Sequence, residues 1–299
     1  MRKFVLMAIF TVVATQIHAQ NNRSAVSVTG NDAASCTVPD PCRTFGAAIV
    51  RTNTGGEILV LASGGYGPFT IDRSVSIICP AGLHAAIAPT SGDGITINAL
   101  STDQVVIRNL YLNGLGASNG IHFQNGAMLF LDSVVVDRFN NLGIWLEAAN
   151  SYISINNSVV RRTANTGIYI DGSLGPLRGT INNSRVERGS NQGIQGYSNV
   201  KLTITGTTAA GNTTNGFLFN GVGAETSLES CISSLNGGSG VSVGQYVSGG
   251  LVRVSNSTIT NNGTGFSQTS TGVLQSRGNN TVQGNGTDVS GTITPISGN

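Results

Sequence analysis

The 299-residue chain carries little charge: 10% of its residues are charged, the net charge is +2, and 41 residues are glycine. So small a positive charge gives no reason to expect nucleic acid as a partner. Regularly placed Val, Ile, Leu and Phe argue against a disordered chain, and the length suits one solenoid or one large all-β domain.

The start of the chain, positions 1–19, has the features of a secretory signal peptide. Arg2 and Lys3 supply a positive start, and positions 5–14 form an apolar run too short to span a membrane. Small or apolar residues precede a cleavage site after Ala19. We therefore expect residues 1–19 to be removed and the mature protein to be secreted or periplasmic, with no membrane span.

The N-terminal segment, residues 20–43, carries the first two cysteines. Cys36 and Cys42 lie six positions apart in a loop that contains two prolines, and an oxidising compartment favours a local disulfide between them. Cys79 and Cys231 lie far apart and fall on inward positions of the repeat, which predicts buried free thiols. No close second pair of Cys or His supports a zinc site.

The only helix-like stretch is residues 44–52. Phe45, Ala48 and Ile49 would share one face of such a helix. The open end of a solenoid exposes apolar side chains and unpaired strand edges, so we expect this helix to cap the N-terminal end.

A repeat of about 24 residues dominates the rest of the chain. Glycines followed by an apolar strand recur once in each repeat, with small variations in spacing: Gly94, Gly120, Gly143, Gly167, Gly193, Gly216, Gly240 and Gly265. A second marker, a small or amide residue, keeps phase with them: Asn109, Ser133, Asn157, Asn183, Gly206, Ser230, Asn256 and Asn279. The length variation is concentrated in the half of the repeat that follows the glycine strand.

Each repeat contains three short alternating segments, and no segment shows the helical spacing of apolar residues. Three strands plus turns predict an all-β, right-handed parallel β-helix of nine to ten coils over residues 44–290, followed by a tail at 291–299. Equivalent strands of successive coils would pair about 4.8 Å apart. Phe123, Leu146 and Ile170 would then form one interior stack, and the amide markers would stack at a bend.

These markers resemble those of the pectin-lyase-like superfamily of right-handed parallel β-helices, over residues 44–290. The Pro-Cys-Arg-Thr-Phe segment at 41–45 and the Gly-Tyr-Gly-Pro segment at 65–68 also resemble bacterial β-helix proteins with no assigned activity. Many enzymes of the superfamily place their sites on the outer face of the strand that follows the glycine. The sequence motifs of its polygalacturonases, pectate lyases and alginate epimerases are absent here.

If the residue after each marker glycine points inward, the next residue points outward. The first outward ladder is then Thr96, His122, Trp145, Tyr169, Gln195, Leu218, Ser242 and Ser267. The second, two positions later, is Asn98, Gln124, Glu147, Asp171, Tyr197, Asn220 and Gly244. Aromatic rings beside polar groups suit sugars, so Trp145, Tyr169, Tyr197, Gln124 and Gln195 are candidate ligand-binding residues. Lateral packing of outward aromatics is the structural alternative.

Glu147 and Asp171 are one repeat apart in the chain and should be neighbours on adjacent coils. Such a carboxylate pair could serve acid/base glycoside hydrolysis, with His122 in support, or could hold Ca²⁺. Two solvated acids that splay apart are the structural alternative. The loop at 172–179 should stand beside Asp171 and form one wall of the site, and a second long loop is expected at 245–251.

A further set of charges lies where the third strand meets the next bend. Asp137, Arg161 and Glu187 form an alternating ladder, which we interpret as structural. Arg138, Arg162 and Arg188 sit beside it and could contact an anionic polysaccharide at the edge of the groove, or simply be solvated.

Three functions follow from these patterns. The first is a non-catalytic protein that binds polysaccharide or another extracellular surface through the face around Trp145. The second is a carbohydrate-active enzyme, a lyase or hydrolase, that uses Glu147 and Asp171. The third is a structural or adhesive solenoid. No cofactor or resident metal is expected, apart from the Ca²⁺ alternative.

Overall fold

The computed structural model describes residues 20–297, so the predicted signal peptide lies outside the described residues. Within this range the chain forms one helix, α1 (Phe45–Arg51), and 32 strands. The first half contains β1 (Asn21–Val26), β2 (Thr52–Val60), β3 (Gly64–Gly65), β4 (Phe69–Ile71), β5 (Val75–Ile78), β6 (Ala85–Ile87), β7 (Asp93–Asn98), β8 (Gln104–Arg108), β9 (Leu110–Asn113), β10 (Asn119–Asn125), β11 (Met128–Asp132), β12 (Val135–Asp137), β13 (Ile144–Leu146), β14 (Tyr152–Asn156), β15 (Val159–Arg161) and β16 (Ile168–Asp171).

The second half continues the same order of three strands per coil. It contains β17 (Leu177–Asn182), β18 (Arg185–Glu187), β19 (Ile194–Tyr197), β20 (Val200–Thr205), β21 (Thr208–Ala210), β22 (Phe217–Asn220), β23 (Glu225–Glu229), β24 (Ile232–Ser234), β25 (Ser239–Val243), β26 (Leu251–Ser255), β27 (Thr258–Thr260), β28 (Thr264–Gln268), β29 (Val273–Ser276), β30 (Thr281–Val282), β31 (Thr287–Ser290) and β32 (Ile293–Pro295).

Three parallel sheets run along the axis of the molecule. Sheet I has twelve strands in the order β1-β2-β5-β8-β11-β14-β17-β20-β23-β26-β29-β32. Sheet II has ten, from β4 and β7 through β10, β13, β16, β19, β22, β25 and β28 to β31, and sheet III has ten, from β3 to β30. Each strand pairs with its equivalent one coil away, which confirms the predicted right-handed parallel β-helix, here of about nine turns.

The core is a set of side-chain stacks inside these three sheets. Phe123 pairs with Leu146 and Leu146 with Ile170, and all three side chains are fully buried. This confirms the interior stack expected from the sequence. Alternate residues of each strand point to this interior, where matched apolar positions remove each other from water.

The second marker residues occupy the tight corner between sheet I and sheet III. Asn109, Ser133 and Asn157 have φ of 59°, 56° and 50°, in the left-handed region that asparagine tolerates better than most residues. Bonding along the axis is seen at this corner between Asn279 Nδ2 and Asn256 Oδ1, at 2.8 Å. The corner between sheets III and II repeats the same conformation, with φ of 54° at Arg162.

The marker glycines enter sheet II where two coils come closest. A Cβ at Gly143 would lie 2.5 Å from the carbonyl oxygen of Gly167 on the next coil, and would collide with Val160. Any larger residue would push the coils apart, which explains why glycine recurs at this position.

The N-terminal predictions are confirmed at the level of local structure. Helix α1 begins after Thr44, whose hydroxyl accepts a hydrogen bond from the Ala47 amide, and it packs against β1, β2 and β4. Its role as a cap stays a prediction. Cys36 and Cys42 form a disulfide, whereas Cys79 and Cys231 are buried free thiols. Burial raises the pKa of the Cys231 thiol to about 11.

Strand pairing extends beyond the predicted 44–290 range at both ends. β1 already belongs to sheet I, and β32 pairs with β29 inside the segment predicted as a tail. Helix α1, the one helix formed by residues 20–297, lacks the length and apolarity needed to cross a membrane.

Candidate functional site

The outward side of sheet II carries the first predicted ladder in the predicted register. His122 lies opposite Trp145, Trp145 opposite Tyr169, and Tyr169 opposite Gln195 on successive coils. Trp145, Tyr169 and Gln195 are each half-buried. Strand pairing therefore holds a row of three large side chains about 4.8 Å apart along the axis.

These three side chains form the floor of a groove of about 450 Å³, which we call the aromatic groove. Its volume lies within the range of small-molecule sites. The groove is lined by Asn141, Leu142, Trp145, Asn165, Thr166, Tyr169, Asn191, Gln192, Gln195 and Tyr246. Aromatic rings and amides thus share a surface that spans several coils.

One side of the aromatic groove is a ladder of asparagines at the corner between sheets III and II. Asn165 Nδ2 donates to Asn141 Oδ1 at 3.0 Å, and Asn191 Nδ2 donates to Asn165 Oδ1 at 2.8 Å. At its end the ladder continues from Asn141, which donates to the Asn119 side chain, and Asn119 in turn donates to the Asp93 carboxylate. A primary amide has two N–H donors and two acceptor positions, so Asn141 retains one donor and one acceptor for a ligand after its two ladder bonds.

The far wall is Tyr246, which the sequence analysis did not single out. Tyr246 lies on the loop at 244–250, and its hydroxyl is 3.5 Å from Gln192 Nε2. The predicted wall at 172–179 does not line the groove; Pro176 and Arg178 of that segment lie instead beside Tyr152 on sheet I. The sequence predicted that the second loop is long, but it did not indicate the side of the corner to which this loop folds.

His122 lies beneath this face and is almost fully buried, with 5% of its surface exposed. Its Nδ1 is 2.9 Å from Asp93 Oδ2, and its Nε2 is 2.9 Å from Glu147 Oε1. Both nitrogens donate at the same time only when the imidazole is protonated. The ring also stacks on the Trp145 indole, with 3.9 Å between centroids and 6° between planes, so one face of Trp145 is covered.

The second carboxylate has different partners. Tyr169 Oη donates to Asp171 Oδ2 at 3.3 Å, and the Ser173 amide donates to Asp171 Oδ1 at 2.9 Å. Burial raises the pKa of the Tyr169 phenol, and the negative charges of Asp171 and Glu147 raise it further. The tyrosine stays a neutral hydrogen-bond donor over the physiological range.

Glu147 and Asp171 thus follow the two groove aromatics on adjacent coils, one bonded to His122 and the other to Tyr169. Among residues 20–297, no three Asp, Glu, His or Cys side chains form a cluster that could hold a metal ion. The catalytic role of the two carboxylates and the Ca²⁺ alternative both stay predictions.

The remaining ligand-binding candidates lie outside the lining of the groove. Tyr197 lies opposite Asp171 in the next coil. Gln124 sits at a register shift, where Asn125 rather than Gln124 lies opposite Asn98, and its amide is 3.2 Å from His122 Nδ1. The second predicted ladder is therefore displaced by one residue at this coil.

The three predicted edge arginines, Arg138, Arg162 and Arg188, are exposed at the left-handed corner, three positions before the asparagine ladder. Arg162 Nε donates to Asp137 Oδ1 at 2.8 Å, so this arginine is already bound within the protein. Asp137 is fully buried, accepts a hydrogen bond from Tyr111 and forms an ion pair with Arg161. A role of the arginines in ligand binding stays a prediction.

No family model and no curated protein sequence matches this chain. Among solved structures, the chain is similar to the crystal structure of pectate lyase Pel9A, with a TM-score of 0.59 and 16% identity, over 86% of this chain and 68% of the other. A rhamnogalacturonan lyase is more distant, with a TM-score of 0.45 and 13% identity over 86% of this chain and 74% of the other. The chain therefore has the pectin-lyase-like parallel β-helix fold.

Proposed function

We propose that the protein binds a polysaccharide chain in the aromatic groove. The observation that carries this proposal is the arrangement of Trp145, Tyr169 and Tyr246 around one groove whose remaining surface is mostly amide. The rings offer apolar faces to the C–H faces of sugars, and the amides offer donors and acceptors to their hydroxyls.

Two further observations support this function. One solved structure with a similar fold is a pectate lyase by name, which favours a carbohydrate ligand. The Cys36–Cys42 disulfide agrees with the predicted export, since disulfides persist in oxidising compartments. We place the function outside the cytoplasm for this reason.

Fluorescence of Trp145 tests the proposal directly, because it is the only tryptophan of the chain. Titration with a panel of neutral and anionic polysaccharides, with and without Ca²⁺, should give a saturable change with at least one of them. Tyr169→Ala should weaken that binding about tenfold, since a buried aromatic contact is worth roughly 1–2 kcal/mol.

Tyr152→Ala is the matched control, because Tyr152 is an outward tyrosine of sheet I, away from the groove. Both variants keep the Trp145 reporter. Unchanged fluorescence with every polysaccharide would contradict binding at this face and favour the structural or adhesive solenoid. Equal losses in the two tyrosine variants would show that the binding surface is not the aromatic groove.

A second candidate function is a carbohydrate-active enzyme, a lyase or hydrolase. The hydrogen-bonded array Asp93–His122–Glu147 favours it, because a buried imidazole can fix a carboxyl group and exchange a proton with it. In hydrolysis, one of Glu147 and Asp171 would protonate the leaving oxygen while the other activates water or attacks the sugar.

Turnover assays separate this candidate from simple binding. Purified protein is incubated with each polysaccharide that binds, and new reducing ends and unsaturated products are measured over time. Glu147→Gln and Asp171→Asn should then abolish turnover, whereas Asp132→Asn on sheet I should not. Equal turnover in the parent and Glu147→Gln would exclude Glu147 as the working group.

A further inference from the structure

We propose that the aromatic groove takes neutral sugar units and discriminates against uronic-acid chains. This inference rests on the proposed function and specifies its ligand class. Within the described part of the chain, none of the ten side chains that line the groove is charged. A carboxylate that enters it would lose water without gaining a cationic partner, which is costly.

The amide ladder is matched to hydroxyl groups rather than to carboxylates. Asn141 keeps one free donor and one free acceptor after its ladder bonds, and Asn165 keeps a free donor. A sugar hydroxyl both donates and accepts, so it satisfies the donor and the acceptor of Asn141. A carboxylate only accepts, so the amide oxygen of Asn141 would face a second acceptor.

The charges beside the groove have the wrong sign for a polyanion. Asp171 lies against the Tyr169 hydroxyl, and Glu147 follows Trp145 by two positions on the neighbouring coil. Their effect already reaches the groove floor, where burial and then these two charges raise the pKa of Tyr169. Like charges brought close together in a partly dry site repel.

The arginines and the lysine of this region offset little of the repulsion between a polyanion and these two carboxylates. Arg162 is bound to the fully buried Asp137. Arg138 and Arg188 are exposed to water at the outer corner, where charge interactions are weak and screened by salt. Lys201 is paired with Glu225 on sheet I, away from the groove.

The test compares glycans that share a backbone and differ only at C6, which carries either a hydroxyl or a carboxylate. Glucan, mannan and galactan oligosaccharides are each titrated in the neutral form and in the form oxidised at C6 to the uronate. At low salt, where Coulomb effects are strongest, a neutral oligosaccharide should bind at least about tenfold more tightly than its uronate.

Asp171→Asn keeps the size of the side chain but removes its charge. It should therefore reduce the difference in affinity between a neutral oligosaccharide and its uronate several-fold. Asp132→Asn, on sheet I, should leave it unchanged. Equal or tighter binding of the uronate would overturn the inference while leaving glycan binding intact. If neither the neutral nor the oxidised form of any of the three oligosaccharides binds, the result would instead contradict the proposed function.

Discussion

The outward side of sheet II differs between two neighbouring regions of the molecule. Over β13, β16 and β19 it is open, and the half-buried Trp145, Tyr169 and Gln195 form the floor of the aromatic groove. Over β22 and β25 the same ladder positions are Leu218 and Ser242, and both are fully buried. We call these the open half and the covered half.

The cover of the second half is the loop at 244–250. Gln245 anchors it: its amide N–H donates to Asn220 Oδ1 at 2.9 Å, and its side-chain oxygen accepts from Asn215 Nδ2 at 2.8 Å and from Ser242 Oγ at 3.1 Å. Tyr246 then projects from the edge of the cover to the groove. Depending on one loop, an outward position on a coil is thus either buried like a second core or open at the floor of a groove.

The largest expected effect is a loss of stability from a substitution in the covered half. Leu218→Ala should lower the free energy of unfolding by about 3 kcal/mol, because it leaves a cavity beneath the loop. Its register partner on the open half, Gln195, gives the matched control: Gln195→Ala should cost less than about 0.5 kcal/mol. Urea unfolding followed by circular dichroism measures both, and equal losses would show that the two halves do not differ.

The next effect concerns sheet III, behind the open half of sheet II. Asp137, Arg161 and Glu187 lie opposite one another in successive coils, whereas the covered half has Ala210 and Ser234 there. Asp137→Asn leaves two arginines without their shared carboxylate and should cost about 2 kcal/mol, less than the loss from a fully buried pair because the arginine ends are exposed. Urea unfolding measures this loss too, and an unchanged midpoint would show that the carboxylate contributes nothing to stability.

The same contact makes the open half sensitive to acid. Burial raises the pKa of Asp137, but hydrogen bonds from Arg162 and Tyr111 and the charge of Arg161 outweigh it, so the pKa lies below its ordinary value. The folded state then binds fewer protons than the unfolded state, and stability falls as pH drops from about 4 through the folded pKa. Hydrogen exchange at decreasing pH should show β12 and β15 losing protection before β21 and β24, and Asp137→Asn should remove that order.

A smaller effect tests the contribution of the covered half to the groove. Tyr246→Ala should weaken glycan binding about tenfold, or about 1.4 kcal/mol, because one aromatic wall is lost. Val247→Ala changes an exposed neighbour on the same loop that does not line the groove, and should have no effect. Isothermal titration calorimetry compares the two, and an unchanged affinity in Tyr246→Ala would restrict the site to the open half.

The smallest effect concerns the corner arginines. Arg188→Ala removes an exposed side chain next to the asparagine ladder, and should change the affinity for a neutral glycan by less than about twofold in the same calorimetric titration. A loss of tenfold or more, diminishing at high salt, would make this corner part of the binding site for an anionic chain.

Much of the architecture could be predicted, because matched positions in successive coils are a property of the sequence itself. The ladder from Thr96 to Ser267 lies in the predicted register, since a regular repeat length and strict inward–outward alternation leave little freedom. The Cys36–Cys42 disulfide was predicted from spacing and compartment alone.

The parts that could not be predicted depend on contacts between residues that share no periodic position. Tyr246 comes from a loop two coils beyond Gln192, and nothing in its local sequence indicates which way the loop folds. His122 lies in the predicted outward register, but Asp93 of the preceding coil and the Trp145 ring of the next one bury it, and the sequence did not predict this burial. Asn125 rather than Gln124 lies opposite Asn98, because β10 contains an extra residue at this point.

Two corners of the coil differ in how freely their length varies. The connection from sheet I to sheet III is two residues long in six successive coils, from 133–134 to 256–257. The connection from sheet II to sheet I varies from two residues at 198–199 to seven at 244–250. Insertions at the second corner leave the stacking of the coils intact. The wall of the groove can therefore change during evolution while the fold stays the same, and homologues should diverge in ligand chiefly through this one corner.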